Sequence, residues 1–355
     1  MAAFARLYAL DDVHPGMKLG DDVLDSRNKI LLVKGTTLNE SLLLHLEHLG
    51  VEYVPIETEQ PVISIQPIVL EKSKLALLEN AVTTLKQAFQ VIATRKVVPL
   101  KVFITIAENY VLPLALSSGA ISYLNVENSA EDYLYHHSVR VGLLSGAMGK
   151  WLGYSRTEIK QLTLAGLLHD IGKLTLNQAL LDKPVSLSPE EWKLMKEHPS
   201  QAYKILLSCR GMEPPVALAV LQHHERLDGS GYPGGFTAPK IHPFGRILAI
   251  ADSYDAMISD RLYQERMSPF QAIQSLIGDM YTKLDAELCT TFLIQSSYAM
   301  VGNVVELEDG REGEIIYSGH YLSPRPILAF ENGECLSLTD WKGIQRIRSC
   351  IPSIH

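Results

Sequence analysis

Ala165-Gly166-Leu167-Leu168-His169-Asp170-Ile171-Gly172-Lys173 is the stretch that decides how this chain reads. An apolar run ends on an imidazole beside a carboxylate. Burying that pair is costly unless each group has a partner. A metal ion satisfies both groups, and so does an ordinary hydrogen-bonded core pair, so His169 and Asp170 alone do not choose between them.

The surrounding sequence does choose. His137 shares a helical stripe with Val141, Leu144 and Met148 and should point inward. His198 follows an amphipathic segment and precedes Pro199, and His223 and His224 end the apolar run 216–221. Asp252 closes the apolar run 247–251. Any one of these is most simply a satisfied core residue. Together, five inward histidines and two inward aspartates in one region need a shared partner, because buried polar groups are paired. Nitrogen and oxygen donors without thiolate suit iron, manganese or nickel, with zinc also compatible. So many donors exceed one tetrahedral ion and suit two ions sharing a carboxylate.

Working outward, residues 129–296 read as helices with short loops. Ser129 and Asp132 are candidate caps, Ser188-Pro189 with Glu191 has the order of a capping box, and Ser268-Pro269 repeats the start signal. Residues 63–128 read as linking helices. Leu75, Leu78, Val82, Leu85, Phe89 and Ile92 form one apolar seam, which is expected to pack on the neighbouring domain, with a homodimer through the 72–95 helix as the alternative. Gln60–Leu70 reads as a linker or edge strand. Residues 1–62 read as a small β-rich unit with a turn at 25–28, a strand at 30–33 and a helix at 38–49. In 297–355, Asp309-Gly310 and Asn332-Gly333 between apolar runs predict two hairpins of a small β domain. The expected class is mainly α, with small β-rich domains at both ends.

Composition removes several classes of function. With 355 residues, 46% hydrophobic and 20% charged, the chain is long enough for two or three ordinary globular domains. A formal net charge of -8 and no Lys/Arg-dense run argue against duplex nucleic-acid binding. An anionic substrate would therefore need a local positive field, from metal ions and a few basic side chains. Cys209, Cys289, Cys335 and Cys350 form no Cys-x-x-Cys pair, which fits reduced thiols in a cytoplasmic protein. No secretory signal is apparent. The apolar stretch 97–116 is broken by Pro99, Lys101, Glu108 and Pro113, so no membrane span is expected.

The motifs, taken in order, resemble a known family. His169-Asp170-Ile171-Gly172-Lys173 matches the signature of HD-domain phosphohydrolases. His223-His224-Glu225-Arg226-Leu227-Asp228-Gly229-Ser230-Gly231-Tyr232-Pro233 is similar to the extended motif of the HD-GYP family. His137-Ser138-Val139-Arg140-Val141 and Ala251-Asp252-Ser253-Tyr254-Asp255 resemble its flanking motifs, and the likeness covers about half the chain. It implies a helical HD-type domain that hydrolyses cyclic di-GMP to the linear dinucleotide pGpG, GMP or both, through a hydroxide activated by two divalent metals. It further implies that His137, His169, Asp170 and Asp252 hold one ion, and His198, His223 and His224 the other, with Asp170 bridging. Lys173 and Asp170 would be catalytic, and Tyr232, Gly231, Arg261 and Asp255 would serve the substrate, Asp255 from behind the ligands.

Two departures stand out. Tyr133 occupies a position where some relatives carry a glutamate for a third metal, and Gln264 one where some carry a lysine. Two other functions compete with the enzyme. One is a cyclic di-GMP-binding signalling protein without useful turnover, against which the intact ligand set and Lys173 argue. The other is an HD hydrolase of another cyclic dinucleotide, against which the Gly-Tyr-Pro loop argues, although mixed cyclic dinucleotides stay open.

Overall fold

The helices begin where capping chemistry starts them. In this computed structural model Ser155, Ser188 and Ser268 each accept a hydrogen bond from the backbone N–H three residues on, while Glu158, Glu191 and Gln271 reach back to the cap. These reciprocal bonds satisfy donors that the first helical turn leaves open. The structure describes residues 4–25, 29–51, 53–58, 71–95, 97–117, 119–125, 132–181, 183, 185–259, 266–318, 326–338 and 344–348. The expected turn at 25–28, apart from Asp25, the linker at 60–70, Ser129, Arg261 and Gln264 lie outside the described residues.

At the N-terminal end, β1 (Phe4–Ala9), β2 (Val23–Leu24), β3 (Ile30–Leu32), α1 (Glu40–His48) and β4 (Tyr53–Thr58) enclose a small core. β1 pairs antiparallel with β4, and β2 with β3. Leu19, Leu38, Leu46, Val54 and Ile56 fill that core. The helical part follows as α2 (Lys72–Arg95), α3 (Leu100–Ile106), α4 (Leu112–Ala115), α5 (Tyr133–Trp151), α6 (Arg156–Leu168), α7 (Gln178–Leu181), α8 (Pro189–Met195), α9 (His198–Leu207), α10 (Pro214–Gln222), α11 (Pro243–Ile258), α12 (Pro269–Asp279) and α13 (Ala286–Met300). The chain ends in β5 (Val304–Leu307), β6 (Glu312–Tyr317), β7 (Ile327–Ala329), β8 (Cys335–Ser337) and β9 (Ile344–Arg348). These form one antiparallel sheet in the order β8-β7-β6-β5-β9, with hairpins at the two expected turns.

The seam on α2 is filled from within the chain: Leu78, Val82, Leu85, Phe89 and Ile92 are all buried in the main core. Between α3 and α4, residues 107–111 run as a π-helical turn. Among the described residues no helix is long and apolar enough to cross a membrane.

α5 departs from the one-sided stripe that its sequence suggested. Every residue from His137 to Gly149 is buried, because α2, α4, α6 and α11 all pack around this helix. Its closest neighbour is α6. A Cβ on Gly166 would lie 2.5 Å from the Gly142 Cα, and one on Gly146 would lie 2.5 Å from Thr163 Oγ1. Glycine at the crossing lets the two backbones touch, and that contact sets His137 on α5 against His169 at the end of α6. Asp132 stands at the start of α5 without capping it. Its carboxylate pairs with Lys86 on α2 at 2.6 Å instead.

Candidate metal centre

Five helix ends or faces deliver the expected donors to one place. His137 and Asp252 come from the interiors of α5 and α11, His169 and Asp170 follow α6, His198 opens α9, and His223 and His224 follow α10. Three of the imidazoles are held the same way. His169 Nδ1 donates to Gly166 O at 2.7 Å, His198 Nδ1 to Met195 O at 2.9 Å, and His223 Nδ1 to Val220 O at 2.7 Å. Each ring is tied to the carbonyl three residues before it, which fixes the tautomer and turns the Nε2 lone pair inward. His137 is oriented from further away, with Nδ1 donating to Asp255 Oδ2 at 2.7 Å.

The inward nitrogens meet. His198 Nε2 lies 3.2 Å from His223 Nε2, and His169 Nε2 lies 3.2 Å from His137 Nε2. With both Nδ1 atoms of the first pair donating elsewhere, the facing Nε2 atoms bring lone pair against lone pair, an arrangement that calls for a cation between them. Asp170 stands between the two pairs. Its Oδ1 is 3.3 Å from His198 Nε2, and its Oδ2 is 3.4 Å from His169 Nε2. Asp252 Oδ1 is 3.1 Å from His137 Nε2, while its Oδ2 faces His224 Nδ1 at 3.6 Å. Two clusters of three donors converge closely enough to hold an ion, His137-His169-Asp170 and His198-His223-His224. The donor chemistry therefore fits divalent transition metals.

Titration behaviour follows from burial and from these neighbours. Burial pushes the His198 imidazole down to about 4, with Asp170 opposing. Burial also holds His223 and His224 well below the usual histidine range, and the neighbouring imidazoles add to the effect. These rings are neutral at pH 7 and ready to donate lone pairs. His137 shifts the other way, because hydrogen bonds to Asp252 and Asp255 outweigh its burial. Burial works against ionising Asp170, but His169, Lys173 and His198 outweigh it and hold the carboxyl well below the usual range. Lys173 Nζ donates to Asp170 Oδ2 at 2.6 Å, and Asp170 Oδ1 is buried with no hydrogen-bond donor of its own.

Two of the residues expected to serve the substrate also have tasks within the fold. Asp255 is fully buried, with one oxygen on His137 and the other 2.8 Å from Arg140 Nε, so it faces no solvent-accessible ligand. Arg140 in turn donates to Ser259 Oγ at 2.7 Å. Asp255 thus acts by aiming His137. Gly231 is needed by the backbone, since a Cβ there would collide with Arg226 N and His224 O. Gly172 is constrained in the same way by His198 O. Tyr232 is partly exposed, with its ring 4.6 Å from that of His224, and Pro233 follows across a cis peptide bond. Tyr133, at the position of the absent glutamate, stacks on His137 at 5.1 Å between ring centres.

Glu225, quoted above only as part of a motif, proves to be the brace of the Gly-Tyr-Pro loop. It is 2% exposed, and its carboxylate accepts from Gly234 N at 2.6 Å and Phe236 N at 2.8 Å. A buried acid directly after two adjacent histidines was the available signal, because such an acid must find donors nearby. Arg226 closes the other side of the loop base, donating to the carbonyls of His223 and Glu225 and to Ser253 Oγ.

Residues 125–288 match the HD domain family, and the ordered motifs within them are similar to those of the HD-GYP type. A cyclic di-GMP phosphodiesterase of Pseudomonas aeruginosa is 35% identical over 199 residues, 56% of this chain and 48% of the relative. A cyclic di-GMP phosphodiesterase of Thermotoga maritima is 39% identical over 169 residues, 46% of this chain and 45% of the relative. A 3'3'-cGAMP-specific phosphodiesterase of Vibrio cholerae is 33% identical over 162 residues, 46% of this chain and 35% of the relative. The chain thus spans about half the length, or less, of these curated relatives. Among solved structures, an HDG"Y"P protein of Bdellovibrio bacteriovorus shares the fold at 20% identity, with a TM-score of 0.51 over 81% of this chain and 97% of that one.

Proposed function

We propose that this chain is a metal-dependent phosphodiesterase that hydrolyses cyclic di-GMP to pGpG, GMP or both. The observation that carries the reading is the convergence of two imidazole pairs, each at 3.2 Å, on either side of the Asp170 carboxylate. His137, His169, Asp170 and Asp252 would hold one divalent ion. His198, His223 and His224 would hold a second, with Asp170 shared. Such ions polarise a phosphoryl oxygen and lower the pKa of water.

The protein's own groups supply the rest. The carbonyl-tethered rings keep the donors aimed. Lys173, one turn beyond Asp170, brings positive charge to the edge of the site, where non-bridging phosphate oxygens gain charge during cleavage. Tyr232 and the loop braced by Glu225 form the wall nearest His224, where the sugar-phosphate ring would lie. Arg261 is retained as a substrate contact on the resemblance alone. The four-part division into 1–62, 63–128, 129–296 and 297–355 is likewise proposed, with catalysis in the third part.

The test is direct. Protein loaded with iron, manganese, nickel or zinc is incubated with cyclic di-GMP, and the products are resolved by chromatography. Metal-dependent appearance of pGpG or GMP is expected, and an intact substrate with every metal would refute the proposal. Because relatives named for 3'3'-cGAMP match at similar identity, that dinucleotide is the second substrate to include.

A further inference from the structure

An exposed tryptophan stands beside this site. α8 buries none of its residues, and Val185, Trp192 and Leu194 are 57%, 46% and 50% exposed. Trp151, the other tryptophan among the described residues, is buried. Trp192 is not isolated. Its ring lies 6.4 Å from Tyr232 at 76°, Tyr232 lies 4.6 Å from His224, and His224 lies 5.1 Å from His198. The rings form a continuous run from the buried donors of the second cluster out to solvent. At its outer end the Trp192 and Tyr232 planes meet as an open aromatic corner. Lys183 pairs with Glu191 on the same helix at 2.5 Å, which ties α8 to the chain leading into it.

From this run we infer that Trp192 is a substrate-binding residue that stacks on one purine base of a cyclic dinucleotide held at the metal centre. The inference rests on the function proposed above. A cyclic dinucleotide carries its two bases on a compact sugar-phosphate ring. With a phosphate at the His198-His223-His224 cluster, a base that leaves past Tyr232 meets the exposed indole. Every base has a π-face, so stacking of this kind is tolerant of base identity. Trp192 therefore contributes affinity for a purine without choosing guanine over adenine. Its exposure on a helix with no buried residue means that the fold gains little from it.

Trp192→Ala and Trp192→Phe, metal-loaded, are compared with the unaltered protein in steady-state turnover and in calorimetric binding of cyclic di-GMP and 3'3'-cGAMP. Trp192→Ala is expected to raise KM and Kd about ten-fold for both dinucleotides, the loss of one stacked base. The kcat at saturation and the metal content should stay within two-fold, and Trp192→Phe should recover most of the affinity. An unchanged KM and Kd in Trp192→Ala would overturn the inference. A fall in kcat with KM unchanged would also overturn it, since that is the mark of a residue shaping the loop. If the unaltered protein neither cleaves nor binds either dinucleotide, the functional reading fails and the role of Trp192 fails with it. Normal turnover with an indifferent Trp192→Ala would sink the stacking role alone.

Discussion

Replacing Glu225 with glutamine exchanges one carboxylate oxygen for an NH2 group and tests how the Gly-Tyr-Pro loop is held. The carboxylate accepts two backbone N–H bonds, from Gly234 at 2.6 Å and Phe236 at 2.8 Å, in a place with almost no access to water. A hydrogen bond to a charged acceptor contributes about 1.5–3 kcal/mol. Glutamine keeps one acceptor oxygen and turns its NH2 toward the other backbone donor. One bond is lost and two donors are left facing each other, so the expected cost is about 2–4 kcal/mol. The loop lies outside the apolar core, and its opening should cost less than global unfolding. The penalty should therefore show mainly as loosened residues 229–236 and only partly as a lower Tm. Hydrogen exchange of this segment, KM and metal content are the measurements. We expect faster exchange and a higher KM, with both metal sites still filled. Glu225→Gln with unaltered loop exchange and unaltered KM would show that the two bonds do not hold the loop.

Three further outcomes follow from the same geometry. Asp170→Ala should lose metal from both clusters, because its two oxygens face different imidazole pairs; elemental analysis that still finds two ions per chain would place the shared ligand elsewhere. Lys173→Ala should keep its metals and lose about two orders of magnitude in turnover, the usual effect of removing one charge-stabilising donor; full turnover at saturating substrate would remove Lys173 from the chemistry. Metal-free protein should lose stability as pH falls from about 6.5 towards about 4, because His198 takes up a proton in the unfolded chain at the higher value and in the fold only near the lower one. The sign is that of a depressed folded pKa, and this one ring accounts for about 3 kcal/mol across the window. Urea titrations of the metal-free protein at pH 7 and pH 5 measure it, and equal midpoints would count against a buried neutral His198.

Much of the site was legible because it sits at punctuation. His169, His198 and His223 each stand where a helix starts or stops, so each apolar run advertised the histidine at its end. Ser188 and Ser268 announced their helices, and Asp309-Gly310 and Asn332-Gly333 their hairpins, because capping and tight turns are local chemistry. What stayed hidden depends on contacts between distant positions. Asp255 was expected to stand behind the ligands, but which of them it holds shows only in its meeting with His137, 118 residues away. α5 read as one-sided because sequence period reports a face, whereas the glycines at its crossing with α6 admit neighbours on every side. The hydrogen bond from Tyr317 OH on β6 to Asp21 Oδ2, spanning 296 positions, joins the two β-rich ends in a way that no local pattern encodes.

The tethering of His169, His198 and His223 to carbonyls three residues earlier has a consequence for how the protein meets its environment. Rings clamped to the ends of the helices before them do not wait for an ion to arrange them, so little ordering entropy remains to be lost when one arrives. A rigid nitrogen-and-oxygen cage of this kind takes several first-row ions in the order of their intrinsic affinity and their abundance. Under the proposed function, the ion held there would reflect supply at the time of filling, and turnover would vary with the transition metals the cell provides.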